Sequence, residues 1–167
     1  MKEHLLVIMP HPDDETFAVG GTIALYSRRG VPVTYVCATL GEMGRNMGRP
    51  PFANRETLPR LREKELREAC RILGITDLRL LGLRDKTVEF VDPGELAARL
   101  RAIIEEIRPS LIITYHPDYS VHPDHMALGA AVVRALRAIP AAVRPKLYLR
   151  AFGSKAEELG EPDAVVD

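Results

Sequence analysis

Apolar residues follow two rhythms along this chain. Short runs at 4–9 ("HLLVIM"), 31–40 ("VPVTYVCATL"), 78–83 ("LRLLGL"), 110–117 ("SLIITYHP") and 146–152 ("KLYLRAF") are rich in aliphatic and β-branched residues. They read as strands, and the first two as central strands covered on both faces. Between the runs the period lengthens to that of a helix. Residues 16–29 ("TFAVGGTIALYSRR") read as a helix that Gly30 ends. In 58–73, Leu61, Leu66, Ala69, Cys70 and Leu73 recur at helical spacing until Gly74 stops the pattern. In 94–107, Leu96, Leu100, Ile103, Ile104 and Ile107 share one face, with Asp92 positioned to cap the first turn. A last helix is expected from about 124 to 138.

Strands alternating with helices of this length predict right-handed βαβ units. The expected class is therefore α/β: a Rossmann-like, doubly wound, mostly parallel sheet with helices on both faces. The length, 167 residues, suits one domain spanning 1–167. The long irregular stretch 41–57, "GEMGRNMGRPPFANRET", has the length of a lid or binding loop. The tail "PDAVVD" looks like the beginning of a strand with no helix after it, as in a fragment of a longer protein.

Composition narrows the function classes. Formal net charge is zero, and aromatic residues make up 5% with no Trp, so neither a basic nucleic-acid surface nor a base-stacking platform is expected. Only about six apolar residues precede the acidic cluster near the start, too few for a signal segment, and no stretch is long enough to span a membrane. A cytoplasmic location is the expectation. Cys37 and Cys70 have no metal-binding or redox spacing and read as buried, reduced thiols. The chain has no Gln, two Asn, and 18 Arg against 5 Lys, a scarcity of thermolabile amides that fits a heat-adapted source.

Two polar clusters change the picture. "PHPDDE" follows the first strand and "HPDYSVHPDH" follows the run at 110–117. In an open α/β sheet, ligands bind beyond the carboxyl ends of strands, so both clusters should meet at one edge. His11 and Asp14, three apart in a turn, can aim at one point. One further histidine from the second cluster, which holds His122, Asp124 and His125, would complete two imidazoles and a carboxylate with open positions for water. That donor set suits catalytic zinc, with non-haem iron(II) as the alternative. Asp13, between the two, would lie beside the ion and take a proton. His122, oriented and kept cationic by Asp124, would stabilise an oxyanion or protonate a leaving amine. The reaction is metal-assisted hydrolysis of an amide or ester. A second reading is a nucleotide-binding or regulatory module without catalysis, but Pro12 and aspartates stand where phosphate would need glycines and amide donors. His4 reads as structural, and His116 stands at a strand end.

With "PHPDDE", "GGTIALYSRRG", "GEMG", "LREKELREACRILGI" and "HPDH" in this order, the chain resembles the PIG-L/LmbE-like N-deacetylases, including the mycothiol and bacillithiol branches. The resemblance implies one Zn²⁺ per chain held by His11, Asp14 and His125, with Asp13 as general base and His122 and Asp124 as a charge-relay pair. Arg62 would contact substrate or brace the site, or else pair with Glu65 or Glu63 on the surface of its own helix. Tyr119 is near the position where relatives carry an oxyanion-stabilising Tyr. The implied substrate is a small N-acetylglucosamine glycoside such as N-acetylglucosaminyl-malate or a chitooligosaccharide, with no membrane or nucleic-acid partner. The arginines from Arg45 to Arg62 would either receive an anionic aglycone or be solvated charges of the loop. A homo-oligomer, trimer or hexamer, is implied by resemblance alone.

Overall fold

A computed structural model describes residues 3–45 and 47–166. Five strands, β1 (Leu5–Met9), β2 (Val33–Cys37), β3 (Asp77–Leu80), β4 (Leu111–Tyr115) and β5 (Lys146–Arg150), form one sheet in the order β3-β2-β1-β4-β5. Every pairing is parallel, with Leu5 opposite both Val33 and Leu111. The expected α/β architecture is therefore present.

The two-residue period of β1 divides its side chains between two cores. Leu6 and Ile8 pack with Leu96, Leu100 and Ile104 of α4 (Pro93–Ile107) and with Leu128 and Val132 of α5 (Pro123–Arg137). Leu5, Val7 and Met9 point the other way, toward Ile23 of α2 (Gly20–Arg28) and Leu66 and Cys70 of α3 (Leu58–Leu73). Helices cover both faces, and all five residues of β1 are fully buried.

Several boundaries differ from the pattern's expectation. The helix read at 16–29 is two: a single turn, α1 (Asp14–Phe17), then α2. The break falls at Val19 (φ −143, ψ 15), just before the paired glycines Gly20 and Gly21, whose weak helix propensity favours a restart. Asp92 caps α4 as expected, accepting from the N–H groups of Gly94 (2.9 Å) and Glu95 (2.8 Å). At α5 the cap is His122, whose Nδ1 accepts the Asp124 N–H. The "PDAVVD" tail forms no strand among the described residues. Instead 3-10 turns cover Ser154–Leu159, and Val165 lies 74% exposed off the sheet. A 3-10 turn at Val88–Phe90, unread in the sequence, packs on α5. Cys37 and Cys70 are buried and unpaired, and His4 bonds Thr34, as read. No helix among the described residues is long and apolar enough to cross a membrane.

The strand order reverses between β1 and β4, where the connections leave in opposite directions and open a crevice at the carboxyl ends. Helix α5 presses close against that end. A Cβ on Gly129 would come within 2.2 Å of the Tyr115 carbonyl oxygen, so the absence of a side chain there lets α5 approach the end of β4.

Candidate metal centre and active-site cleft

His11 and Asp14 leave the end of β1, and His122 and His125 lie at the start of α5, after β4. His11 Nδ1 and His125 Nε2 stand 3.2 Å apart. Asp14 lies beside both, its Oδ2 3.8 Å from His11 Nδ1 and its Oδ1 3.9 Å from His125 Nε2. Two other donor sets share His11: His11 with His122 and His125, and His11 with Asp85 and Asp124, each within 4.8 Å. The sets differ in how free their carboxylates are. Asp124 is fully buried and accepts N–H groups from Lys86 (2.8 Å) and Val88 (3.2 Å) as well as facing His11 Nε2 at 3.2 Å. Asp85 accepts the Met43 N–H at 2.9 Å and faces the same His11 nitrogen at 3.2 Å. Both carboxylates thus engage one ring nitrogen of His11 and leave the other to face His125 and Asp14.

Electrostatics follow from this packing. Burial alone would depress His11, but the carboxylates of Asp124 and Asp85 outweigh it and raise its pKa to about 9. Burial, reinforced by the neighbouring His11 and His122, pushes His125 down to about 3, so its ring is neutral, the form that ligates metals. Burial also lifts Asp14 to about 6 against the opposing hydrogen bond from Tyr115 and the charge of His11. Among the described residues, His125 Nδ1 is the one buried side-chain polar atom without a partner. Facing nitrogens of His11 and His125 beside the desolvated Asp14 carboxylate are a costly arrangement that a divalent cation at Nδ1 of His11 and Nε2 of His125, displacing the His11 proton, would compensate. The donors present fit such an ion.

Tyr115 braces both. Its hydroxyl donates to Asp14 Oδ1 at 2.7 Å, and its ring stacks on His125 at 3.9 Å between centroids and 11° between planes. The backbone N–H of His11 donates to Asp14 Oδ2 at 2.9 Å, which fixes the second oxygen.

Asp13 occupies a positive-φ turn (φ 112), a conformation rare for a residue with a side chain and found where function requires it. Glu15, read in the sequence only as helix-terminal charge, is 2% exposed and holds that turn. Its Oε2 accepts the Asp13 N–H at 2.9 Å, and its Oε1 accepts the Thr16 hydroxyl at 2.9 Å. Arg62 reaches from α3 to donate to Asp13 Oδ2 at 2.7 Å and to the Pro12 carbonyl. The bare backbone of Gly41 leaves it room, since a Cβ there would stand 3.0 Å from Arg62 Nη1.

The expected pairing of Asp124 with His122 is not the one observed. The backbone N–H of Asp124 donates to His122 Nδ1 at 3.1 Å, while its carboxylate faces His11. A ring that accepts at Nδ1 is neutral. Burial, with His11 alongside, lowers the His122 pKa further, so the expected cation is not supported by its surroundings. Tyr119 is not brought to the cleft: its ring packs edge-on against His116, whose Nδ1 caps the turn by accepting the Asp118 and Tyr119 N–H groups. Asp85 and Glu15 were not read from sequence as site residues. Position beyond the carboxyl end of β3 was the signal available for Asp85.

The cleft over these groups, about 370 Å³, is lined on its sides by Met43, Arg45, Arg62 and Lys86. A larger groove of about 650 Å³ between Val88–Phe90, α4 and α5 has a mainly apolar lining and no imidazole. Chemistry belongs to the smaller one.

Residues 6–136 match the family model PIG-L, described as GlcNAc-PI de-N-acetylase. A Bacillus subtilis protein named probable N-acetyl-alpha-D-glucosaminyl L-malate deacetylase 2 is 57% identical over 168 residues, covering 100% of this chain and 76% of the relative. Its Bacillus cereus namesake is 55% identical, covering 99% and 76%. Among solved structures, the N,N'-diacetylchitobiose deacetylase from Pyrococcus horikoshii superposes with a TM-score of 0.71 at 32% identity, covering 81% of this chain. This chain spans 49% of that enzyme's length. A 4-carboxy-2-hydroxymuconate hydratase from Pseudomonas putida, at TM-score 0.72 and 21% identity over 91% of this chain and 62% of its own, shares the fold alone.

Proposed function

Because this chain belongs to the PIG-L family of GlcNAc-PI de-N-acetylases, we propose that it is a zinc-dependent hydrolase that removes the N-acetyl group from an N-acetylglucosaminyl glycoside, with the L-malate glycoside as the leading substrate. His11, Asp14 and His125 hold the ion, one per chain. Ligand atoms about 2.0–2.1 Å from a tetrahedral zinc lie about 3.3–3.4 Å from one another. The His11–His125 nitrogen separation of 3.2 Å is close to that spacing, while the 3.8 and 3.9 Å separations run to different oxygens of Asp14, Oδ2 toward His11 and Oδ1 toward His125, so the carboxylate would turn one oxygen inward to complete the set. Asp124 on the far nitrogen of His11 supplies the carboxylate that commonly orients a ligating imidazole.

When bound, zinc contributes Lewis acidity and acidifies water. The chain's own groups do the rest. Asp13, steadied by Arg62 on Oδ2 and by Glu15 on its backbone, takes the proton from the attacking water. The water oxygen bonds to the acetyl carbonyl carbon, and the C–N bond then breaks. His122 has Nδ1 committed to the Asp124 N–H, which leaves Nε2–H as donor to the developing oxyanion. Asp13 returns its proton to the departing amine, and the second water proton stays on the acyl product, so the free glucosaminyl amine and acetic acid leave, the acid then ionising to acetate.

The observation that carries this reading is the meeting of His11 and Asp14 with His125 at the switch point between β1 and β4. Its test is metal content together with amine release from N-acetylglucosaminyl L-malate. About one zinc per chain, lost in Asp14→Ala and His125→Ala, supports it. A protein that binds no divalent metal, or releases no amine when loaded, overturns it. A homo-oligomer in the cytoplasm is part of the same proposal, and light scattering on the purified chain checks the assembly.

A further inference from the structure

Most charges around the cleft are already spent on one another. Asp13 is paired with Arg62, Asp14 with Tyr115 and the His11 N–H, and Asp85 with His11 and the Met43 N–H. Two cations lining the same cleft are left over. Arg45, in the loop after β2, and Lys86, in the loop after β3, have no carboxylate within ion-pair distance among the described residues. Three arginines of α3 and β3 contrast with them: Arg67, Arg71 and Arg79 each hold a glutamate.

Lys86 is also fixed in an unusual way. Its backbone is left-handed (φ 63), a conformation in which the Cβ of an L-residue crowds the following carbonyl oxygen. The buried Asp124 carboxylate holds it there by accepting its N–H at 2.8 Å. The group that orients His11 therefore also sets the position of the Lys86 backbone. A strained lysine tied to the catalytic machinery points to a ligand contact.

We propose that Arg45 and Lys86 form a subsite for a carboxylate-bearing aglycone, which makes the chain select anionic over neutral N-acetylglucosaminides. This rests on the deacetylase reading and extends it to specificity. The Bacillus relatives are named for an L-malate glycoside, whose aglycone carries two carboxylates. Two uncompensated cations on separate loops match two carboxylates, and both line the cleft that holds the reacting groups.

The test compares kcat/KM for N-acetylglucosaminyl L-malate and for the neutral methyl N-acetyl-α-D-glucosaminide, on zinc-loaded full chain. The ratio of the two should fall about tenfold in each of Arg45→Gln and Lys86→Gln, equivalent to about 1.4 kcal/mol per cation, and further in the double variant. Lys86→Arg should retain most of the preference. Raising salt from about 0.05 to about 0.5 M should erode the wild-type ratio but not that of the double variant. This salt arm needs no substitution to fold. A salt-insensitive wild-type ratio, or an unaltered ratio in the double variant, overturns the subsite while hydrolysis of either glycoside still upholds the deacetylase reading. Hydrolysis of neither glycoside defeats both.

Discussion

Replacing Tyr115 by Phe removes one hydroxyl and leaves the ring that stacks on His125. That hydroxyl donates to Asp14 Oδ1 at 2.7 Å, inside a site where Asp14 is 6% exposed. Water cannot readily take its place there, so the variant leaves one carboxylate oxygen short of a donor. A buried acceptor left unpaired costs about 1–3 kcal/mol, and the folded state before metal loading should lose stability in that range. The Asp14 carboxylate also loses the constraint that fixes one oxygen, retaining only the His11 N–H on the other. Loss of such an outer partner typically lowers metal affinity by about 10–100-fold. Competition for zinc against a chromophoric chelator measures this directly, without substrate. An affinity within twofold of wild type would refute the reasoning that Tyr115 orients Asp14 as a ligand. Tyr115→Ala would lose the stack as well and should bind zinc more weakly still.

Asp13→Asn keeps a residue that tolerates positive φ and keeps an oxygen for Arg62, so zinc content should hold while kcat falls about a hundredfold or more; full turnover would remove Asp13 as the base. Glu15→Gln turns one acceptor of the Asp13 N–H and Thr16 hydroxyl pair into a donor, which should cost about 1–3 kcal/mol and reduce kcat with zinc retained; unchanged melting and turnover would show that Glu15 does not hold the turn. Gly129→Ala forces a methyl against the Tyr115 carbonyl, and overpacking of about 1–3 kcal/mol should lower the thermal midpoint by roughly 3–10 °C, with zinc binding weakened as α5 backs away; a midpoint equal to wild type would mean the helix moves freely.

What the sequence made legible was whatever repeats or sits next to a strand end. The runs at 4–9 and 110–117 became β1 and β4, because a strand buried on both faces has little choice but to be apolar throughout. His11, Asp14, His122 and His125 could be drawn together because both of their segments follow such strands. The missed features depend on where side chains turn once tertiary contacts exist. Asp124 was read as the partner of His122, its neighbour in sequence, yet the loop bearing Lys86 and Val88 draws its carboxylate toward His11. Asp85 stands in "LRDKTVEF", which has neither period nor motif, and acquires meaning only because β3 lies beside β2. Arg62 lies on a charged helix where local pairing with Glu63 or Glu65 was an equal reading, and the bare backbone at Gly41 decided for the cleft.

His11 and His125 are 114 positions apart, and only the pairing of β1 with β4 brings them face to face. Each side of the sheet's turning point therefore carries an incomplete set of donors. A nascent or partly unfolded chain, however much local helix it has formed, has no high-affinity seat for the ion. Under the proposed ligand set, zinc uptake would act as a check on completed folding: it would favour only molecules in which the two halves have met and would add its binding energy to holding them together. The same division makes the protein suited to fragment complementation, since two separately made pieces would regain hydrolysis only by rebuilding that one strand junction.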